Sequence, residues 1–343
     1  MQHKITKPSK LLNRSGELIQ KGYATSPLLQ YRQKDVALKS RLKEWDYYLI
    51  SNDRYVVALT IGKTMSLILV SASLIDLDNG KETTKSTFGI VSEKNFSMPE
   101  SSETGDINYH NANTNISLIH HNGKRKLTLS MKGFLNNENL NLSFILSHEP
   151  QDSMVIATPF YEGNKLFYYN RKIIAMRASG DARLGNQTLS FLPSNSFSLL
   201  DWGRGVWPYH TTWYWSAAQG MIGNHLFGFN LGCGFGDTSR ATENMLFYDG
   251  IASKLEEVTF HIPINNRNSY DNMKQWEITS SDHRLQMVFS PIWDRSINLS
   301  AILLSTNQHQ VFGRFTGKAF LNDGTIVCLK DFWGFIERVE NKW

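Results

Sequence analysis

The sequence has little cysteine, little proline and no long hydrophobic run. Its two cysteines, Cys233 and Cys328, lack metal-site spacing and lie in apolar, strand-like stretches, so we expect buried free thiols. The most apolar run covers residues 65–75. It is shorter than the roughly 20 residues of a membrane-spanning helix. With no secretory signal at the start of the sequence, we expect a cytoplasmic protein without a transmembrane segment.

Charge of either sign is also modest. Lys and Arg number 36 against 31 Asp and Glu, which gives a net charge of +5. The positive residues are spread along the chain and accompany no nucleic-acid motif, so we expect no nucleic-acid partner. The histidines show no metal-ligand spacing, and the glycine-rich stretch at 232–236 opens no strand–helix unit. We therefore expect neither a metal nor an organic cofactor, and the oligomeric state stays open.

Aromatic residues, in contrast, make up 12% of the chain, and strand-sized apolar runs recur between turn residues. Asn122-Gly123, for example, separates two such runs and supplies the positive φ of a tight hairpin turn. Helical periodicity is scarce, and its best short stretch covers residues 36–42. The pattern predicts an all-β protein built of antiparallel hairpins, with few short helices.

One short pattern occurs twice. Residues 180–188 and 317–325 both read G-x-A-x-L-x-x-x-T, and each copy places a turn between two strands. The repeat predicts two similar β-barrels packed side by side, each large enough for its own core. We divide the chain into an N-terminal segment (1–27), a first barrel (28–195) and a second barrel (196–343).

Residues 201–210, DWGRGVWPYH, hold the densest set of chemically distinctive side chains. Gly203 and Gly205 permit unusual backbone angles, so we expect a rigid irregular loop that presents Asp201 and Arg204. Two interpretations stay open. The arginine and carboxylate can form a bidentate pair that holds the loop, or they can orient a polar substrate group.

The strands after this segment add further candidates. Trp213 and Trp215 share one strand face, whereas Asn230 lies on a face otherwise made of glycine. Asn230 therefore points into a cavity or hydrogen-bonds a neighbouring loop. Glu243 precedes another strand and forms a candidate acid–base pair with Asp201 if the fold brings them together.

Several of these motifs carry a family resemblance. Residues 42–48 (LKEWDYY), 201–209 (DWGRGVWPY), 213–215 (WYW), 229–232 (FNLG) and 242–244 (TEN) resemble the family called domain of unknown function 2804. That family has no established activity. The arrangement is also similar, more distantly, to the tandem lipocalin-like barrels of the carotenoid hydratase and tocopherol cyclase group. This resemblance implies two lipocalin-like barrels and an apolar ligand held between them.

The first hypothesis is a protein that binds a hydrophobic or amphipathic small molecule, lipid-like or isoprenoid-like. If it is an enzyme, we expect a cofactor-free hydratase, cyclase or isomerase with a carboxylic acid as the proton donor. Catalytic candidates are Asp201, Glu243 and Arg204. Candidate ligand-binding residues are Trp202, Trp207, His210, Trp213, Trp215, Asn230 and Asn244.

Two alternatives belong to other classes. Asp201 and Glu243 with stacked Trp side chains would also suit a carbohydrate-binding or carbohydrate-processing protein with an open groove. A non-catalytic binding or scaffold protein would use neither carboxylate. An enclosed apolar pocket favours the first hypothesis and an open polar groove favours the carbohydrate alternative.

Overall fold

The computed structural model describes residues 2–92, 95–301 and 304–342, and these residues are mostly β-strand. Their helical parts are two three-residue 3-10 turns, Gln33–Asp35 and Lys39–Arg41. The helix predicted at residues 36–42 is therefore wrong except for its last turn, because Val36 already has an extended backbone. The all-β prediction is confirmed, with two large antiparallel sheets.

The first sheet has thirteen strands among the described residues. Its main path runs, in order of pairing, through β7 (Lys81–Ile90), β6 (Leu67–Asp76), β5 (Tyr55–Thr64), β4 (Leu42–Ser51), β15 (Phe197–Val206), β13 (Gly163–Leu184), β11 (Glu138–Ser147), β10 (Lys124–Leu135), β9 (Thr114–His121) and β8 (Ile107–His110). Strands β12 (Met154–Phe160) and β14 (Gln187–Phe191) pair with β13, and β2 (Gly22–Ala24) pairs with β12. The short strands β1 (Ser9–Lys10) and β3 (Leu29–Gln30) form a separate parallel pair.

The second sheet has nine strands among the described residues. In order of pairing they are β19 (Ile251–Lys254), β18 (Met245–Tyr248), β17 (His225–Cys233), β16 (His210–Ile222), β24 (Ile326–Lys342), β23 (Leu304–Phe320), β22 (Leu285–Ala301), β21 (Trp276–Ser280) and β20 (Val258–His261).

Alternation of side chains explains both the strands and their curl. In β10 the buried Leu127 and Leu129 alternate with residues that face water, which is the period of a strand with one face in a core. The first sheet bends far enough for Thr87 of β7 to reach Thr114 of β9, with 3.1 Å between the two hydroxyl oxygens. The same alternation puts Cys328 of β24 on an exposed face, so the prediction that this thiol is buried is wrong.

The repeated glycines occupy equivalent places in the two sheets. Gly180 of β13 has φ +143° and Gly317 of β23 has φ +154°, and each lies opposite a strand backbone with no room for a side chain. A Cβ on either glycine would come within about 2 Å of a carbonyl oxygen, that of Ser143 or Gln286. The sequence repeat therefore corresponds to a repeated structural position.

The two sheets meet along a seam. Strand β15, from the part of the chain that we assigned to the second barrel, pairs with β4 and β13 of the first sheet. The chain changes sheet between Val206 and His210. Across the seam, Trp215 packs edge-on against Tyr47 of the first sheet at 5.7 Å between ring centroids, and within its own sheet it packs against Phe335 at 4.9 Å. A shared core therefore joins the two halves. Among the described residues, no helix is long and apolar enough to span a membrane.

Candidate functional site

Strand β15 separates two polar environments. Successive side chains of a strand point to opposite faces, so Asp201 faces the seam while Trp202 and Arg204 face the interior of the first barrel. The irregular loop expected at 201–210 is wrong for its first six residues, which belong to a regular strand. Of the two interpretations of Asp201 and Arg204, the bidentate pair is not formed, because the two side chains lie on opposite faces. Gly203 lets the ring of Trp45 approach the strand, since a Cβ there would come 2.0 Å from a ring carbon.

Arg204 contacts several groups in the interior of the first barrel. Its guanidinium is fully buried and lies 3.1 Å from Asp46 and 3.7 Å from Glu44. It also donates to the carbonyl oxygens of Trp45 at 2.7 Å and Pro99 at 3.0 Å. Burial raises the pKa of both carboxyls, and the guanidinium opposes that rise. These contacts make Arg204 a structural clasp.

Trp202 also belongs to the first barrel. Its ring stacks on the Arg204 guanidinium, with 4.1 Å from the guanidinium carbon to the ring centroid. With Tyr169 it lines an open pocket of about 540 Å³. This placement separates Trp202 from the seam.

Asp201 lies within a buried polar group that we call the seam cluster: Asp201, Lys172, Asn170, Tyr168 and Glu243. The Lys172 amine lies 3.2 Å from the Asp201 carboxylate, and Asn170 donates to the same oxygen at 2.5 Å. The amine also donates to the Tyr168 hydroxyl at 3.4 Å, which in turn donates to Glu243 at 3.3 Å. The sequence-predicted carboxylates Asp201 and Glu243 are therefore brought into one network.

The Lys172 amine is also held by aromatic rings. It lies 4.3 Å from the centroid of the Trp215 ring and 5.7 Å from that of Phe235. The π faces of such rings and the carboxylate partner stabilise a buried ammonium, and this offsets part of the hydration energy that it loses.

Glu243 of the seam cluster has a pKa far from its ordinary value. Burial raises its pKa to about 7, the neighbouring Asp201 adds to the rise, and Lys172 and the Tyr168 hydroxyl oppose it. Its Oε1 atom has no hydrogen-bond partner among the described residues. Gly232 makes room for this oxygen, which would lie 1.8 Å from a Cβ at that position. A carboxyl with this pKa can both hold and release a proton near neutral pH.

A third carboxyl, Glu337 of β24, extends the polar seam. It accepts hydrogen bonds from the Trp213 indole at 3.2 Å and from Gln308 at 3.2 Å. Gln310 donates to the Tyr47 hydroxyl at 3.3 Å nearby. Burial raises the pKa of Glu337, and Asp201 contributes to the rise.

Beside this polar seam lies an apolar pocket of about 590 Å³, here called the tryptophan pocket. It lies where the first sheet meets the start of the second. Its apolar lining is formed by Trp45, Leu67, Leu69, Phe88, Trp207 and Trp213. Lys43 and Arg41 also line it. Burial, aided by the charge of Arg41, lowers the pKa of the Lys43 amine to about 6.

A layer of aromatic rings separates the tryptophan pocket from the seam cluster. Trp207 lies edge-on to Trp213 at 5.1 Å and to Tyr168 at 5.6 Å between centroids, and Tyr168 stacks on Phe235 at 4.9 Å. Asp201 and Glu243 line neither this pocket nor the one beside Trp202. A ligand in the tryptophan pocket would therefore contact Trp207 and Trp213, with Glu243 behind the ring layer.

The remaining candidates have structural partners. Asn230 is fully buried, accepts from the Trp215 indole at 2.8 Å and donates to the backbone oxygen of Glu243 at 2.8 Å, so it supports a neighbouring loop. Asn244 accepts from the backbone of Gly232 at 2.7 Å. His210 is half exposed and lies 3.2 Å from Glu340 on the surface.

Sequence reasoning missed the residues that the first sheet contributes. Lys172 and Tyr168 come from β13, and Lys43 and Trp45 come from β4. One signal was available for Lys172, since Arg171 and Lys172 interrupt an apolar strand run between residues 166 and 176. Trp45 was visible only as part of a family motif. Among the described residues no group of three or more His, Cys, Asp or Glu is placed to hold a metal ion.

Comparisons with known proteins address the family and the fold. The family model described as Domain of unknown function (DUF2804) matches residues 2–343. No curated protein sequence matches the chain. Among solved structures, a Nitrosomonas europaea protein provisionally assigned as AttH aligns with a TM-score of 0.57 at 13% identity, covering 87% of this chain and 92% of that one. Kievitone hydratase from Nectria haematococca aligns at 0.46 and 13% identity, covering 88% of each chain. These likenesses concern the fold alone.

Proposed function

This chain belongs to the DUF2804 family, whose description assigns no activity, and we propose that it binds an amphipathic small molecule in the tryptophan pocket. The observation that carries the proposal is the pocket itself. Its volume of about 590 Å³ lies within the range of small-molecule sites, and its walls are mainly aromatic and aliphatic. Its lining also includes polar groups, among them the basic side chains of Arg41, Lys43 and Lys63, which suit an oxygen-bearing head group on an otherwise apolar ligand.

A second candidate function is acid catalysis on the bound molecule. Glu243 supports it, because its raised pKa leaves a proton available near neutral pH and its Oε1 has no partner among the described residues. Protonation of a ligand requires that Trp207 or Tyr168 move aside, since these rings lie between Glu243 and the tryptophan pocket. Hydration, cyclisation and isomerisation are the reactions that such a donor would serve without an organic cofactor.

The carbohydrate alternative receives less support. Asp201 and Glu243 are both buried and lie behind aromatic rings, whereas a glycosidase pair flanks a sugar in an accessible groove. The apolar lining of the tryptophan pocket likewise favours a lipid-like or isoprenoid-like ligand over a sugar.

Ligand binding can be tested with a pocket-filling variant. Gly62 lines the tryptophan pocket, and a Cβ there would meet its nearest neighbours at 3.6 Å and 3.8 Å, an ordinary contact distance. Gly62→Val therefore fits a strand and places two methyl groups in the pocket. The probe is 1-anilinonaphthalene-8-sulfonate, an amphipathic dye, followed by its fluorescence. We expect Gly62→Val to weaken its binding by at least about tenfold, that is about 1.4 kcal/mol.

The matched control is Gly163→Val, at the start of β13. A Cβ on Gly163 would also meet only ordinary contacts, at 3.7 Å and beyond, and Gly163 does not line the tryptophan pocket. This variant should bind the dye like the wild type. Equal binding by the Gly62 variant and the wild type would remove the tryptophan pocket as the site. Lipid extraction and native mass spectrometry of the purified protein would then identify the natural ligand.

Acid catalysis is tested separately with Glu243→Gln. The extracted ligand is incubated with protein in heavy water, and its mass is followed for incorporated deuterium or for added water. We expect a mass change with the wild type and none with the variant, while both bind the dye equally. A binding protein without catalysis would leave the ligand mass unchanged in both samples.

A further inference from the structure

The mouth of the tryptophan pocket carries a patch of exposed apolar side chains, here called the apolar rim: Met65, Leu67, Phe88 and Ile90. Their exposed fractions are 59%, 47%, 63% and 88%. Leu67 and Ile90 are direct cross-strand neighbours, Phe88 follows two residues away on the same face, and Met65 lies in the turn before Leu67. Contiguous exposed apolar side chains of this kind mark interaction surfaces.

The apolar rim is continuous with the inside of the pocket. Met65, Leu67 and Phe88 also line it together with Trp45, so the exposed rim and the apolar wall of the pocket share residues. A lipid-soluble molecule at the apolar rim would therefore contact apolar side chains as it enters. This continuity suits a partner that is itself a source of apolar molecules.

Pairing with a second copy through strand β7 is disfavoured by the closure of the first barrel. Lys85 of β7 donates to the backbone oxygens of Lys132 and Gly133, and Thr87 contacts Thr114. Through these contacts, other strands of the same sheet cover the edge of β7. The exposed end at residues 88–90 is too short to template a strand of another chain.

Charge around the mouth favours an anionic partner. Arg41 lines the pocket, and Lys39, two residues earlier in the same 3-10 turn, is exposed. Of the described residues that line the pocket, the acidic one is Glu44, which is buried and lies 3.7 Å from Arg204. Among the described residues that line the pocket, the exposed charge is therefore positive.

We infer that the apolar rim docks on the surface of an anionic lipid bilayer, with Phe88 and Ile90 inserted among the lipids and Lys39 and Arg41 against their head groups. Exposed apolar side chains combined with basic ones are the features by which proteins bind membrane surfaces peripherally. The docked orientation places the mouth of the tryptophan pocket against the lipid.

The experiment is co-sedimentation of the full chain with vesicles of phosphatidylcholine alone or mixed with phosphatidylglycerol. We expect binding to the mixed vesicles. Phe88→Ser/Ile90→Ser should weaken it by at least about tenfold, since two apolar side chains no longer leave water. Lys39→Gln should weaken it about fivefold, and only with phosphatidylglycerol present.

The matched control, Leu192→Ser/Ile326→Ser, removes two apolar residues at the opposite end of the sheets that are also exposed, at 60% and 54%. It should bind the vesicles like the wild type. Absence of binding to either vesicle type overturns the inference, and so does an equal loss in the control. A wild-type dimer that Phe88→Ser/Ile90→Ser converts to a monomer also overturns it, in favour of a second copy.

Failure of this inference and failure of the proposed ligand site are distinguishable. Gly62→Val fills the pocket but leaves the apolar rim intact, so it should lose the dye and keep vesicle binding. Ile90→Ser changes a rim residue that does not line the pocket, so it should keep the dye and bind vesicles more weakly.

Discussion

The seam places three carboxyl groups, those of Asp201, Glu243 and Glu337, around the amine of Lys172. Lys254 also acts on Glu243 and Arg295 on Glu337, yet burial outweighs these positive charges. Burial and neighbouring charge raise the pKa of Glu243 to about 7 and also raise that of Glu337. Two buried carboxyls near Lys172 therefore favour their protonated forms more than exposed carboxyls do.

The first prediction follows from the pKa of Glu243. In the unfolded chain its pKa is near 4.5, and in the folded chain it is about 7. Between these values the folded state binds more protons, so folding stability falls as the pH rises through this window. Glu243→Gln cannot lose a proton, so its stability relative to the wild type should rise by about 3 kcal/mol from pH 4.5 to 7.

Urea unfolding of both proteins at several pH values measures this difference. The free energy of unfolding of the variant minus that of the wild type should be constant below pH 4.5, increase with pH, and level off above pH 7. A constant difference for Glu243→Gln would show that folding does not raise the pKa of this carboxyl.

The sequence was sufficient to select the carboxylates of the site, but it was not sufficient to identify which residues contact each other. Asp201 and Glu243 were selected as a pair and do share one network, through Lys172 and Tyr168. A pair of Arg204 with Asp201 was one of two interpretations of this segment, yet in a strand residues three positions apart point to opposite faces. A partner's identity depends on which strand lies alongside, and local spacing does not contain that information.

At the scale of the element, the glycines of β15 show where sequence patterns mislead. Gly203 and Gly205 were taken as signs of an irregular loop, but they lie in a regular, fully buried strand. Gly203 gives space to the ring of Trp45 and Gly205 to the indole of Trp207. A glycine needed for close packing and a glycine needed for a turn are identical in sequence, and only the neighbouring side chains distinguish them.

The second prediction concerns the repeated glycines of β13 and β23. Gly180→Ala and Gly317→Ala should each lower the free energy of unfolding by about 3 kcal/mol, because the new Cβ meets a strand carbonyl at 2.0 Å or 2.2 Å in a backbone conformation that side chains rarely adopt. Gly163→Ala, whose new Cβ would meet only ordinary contacts at 3.7 Å and beyond, should change stability by less than about 1 kcal/mol.

Thermal and urea denaturation of the three variants provide the measurement. Similar losses at Gly180 and Gly317 would support an internal duplication in which each half keeps its own copy of one structural position. A variant at either glycine as stable as Gly163→Ala would contradict the equivalence of the two sites.

For the whole molecule, the two-barrel architecture was predictable from the sequence, but the place where the chain passes from one sheet to the other was not. The hairpin turns and the repeat were sufficient to predict two antiparallel barrels, because local turn chemistry fixes which strands are adjacent. The chain's change of sheet between Val206 and His210 was not predictable from composition, since β15 is completed by β4, about 150 residues earlier in the sequence. The division into domains at residue 195 accordingly stays a prediction.

The third prediction is that neither half folds without the other. The core that fills the first barrel continues into the second sheet, where Trp215, Phe247 and Phe335 are buried against it. Residues 208–343 expressed alone would expose these rings and leave Trp213 without Trp207, so we expect an aggregation-prone fragment without a cooperative unfolding transition.

Co-expression of residues 2–207 with residues 208–343 should restore a soluble protein and a cooperative unfolding transition. We expect the tagged halves to co-purify and to bind 1-anilinonaphthalene-8-sulfonate with the affinity of the intact chain, because Trp45 and Trp207 come from one fragment and Trp213 from the other. Near-ultraviolet circular dichroism reports the packing of the seam tryptophans in each sample. If residues 208–343 alone gave a monomer with sharp cooperative unfolding, the shared core would not be needed for folding, and the tryptophan pocket would be a cleft between independent domains.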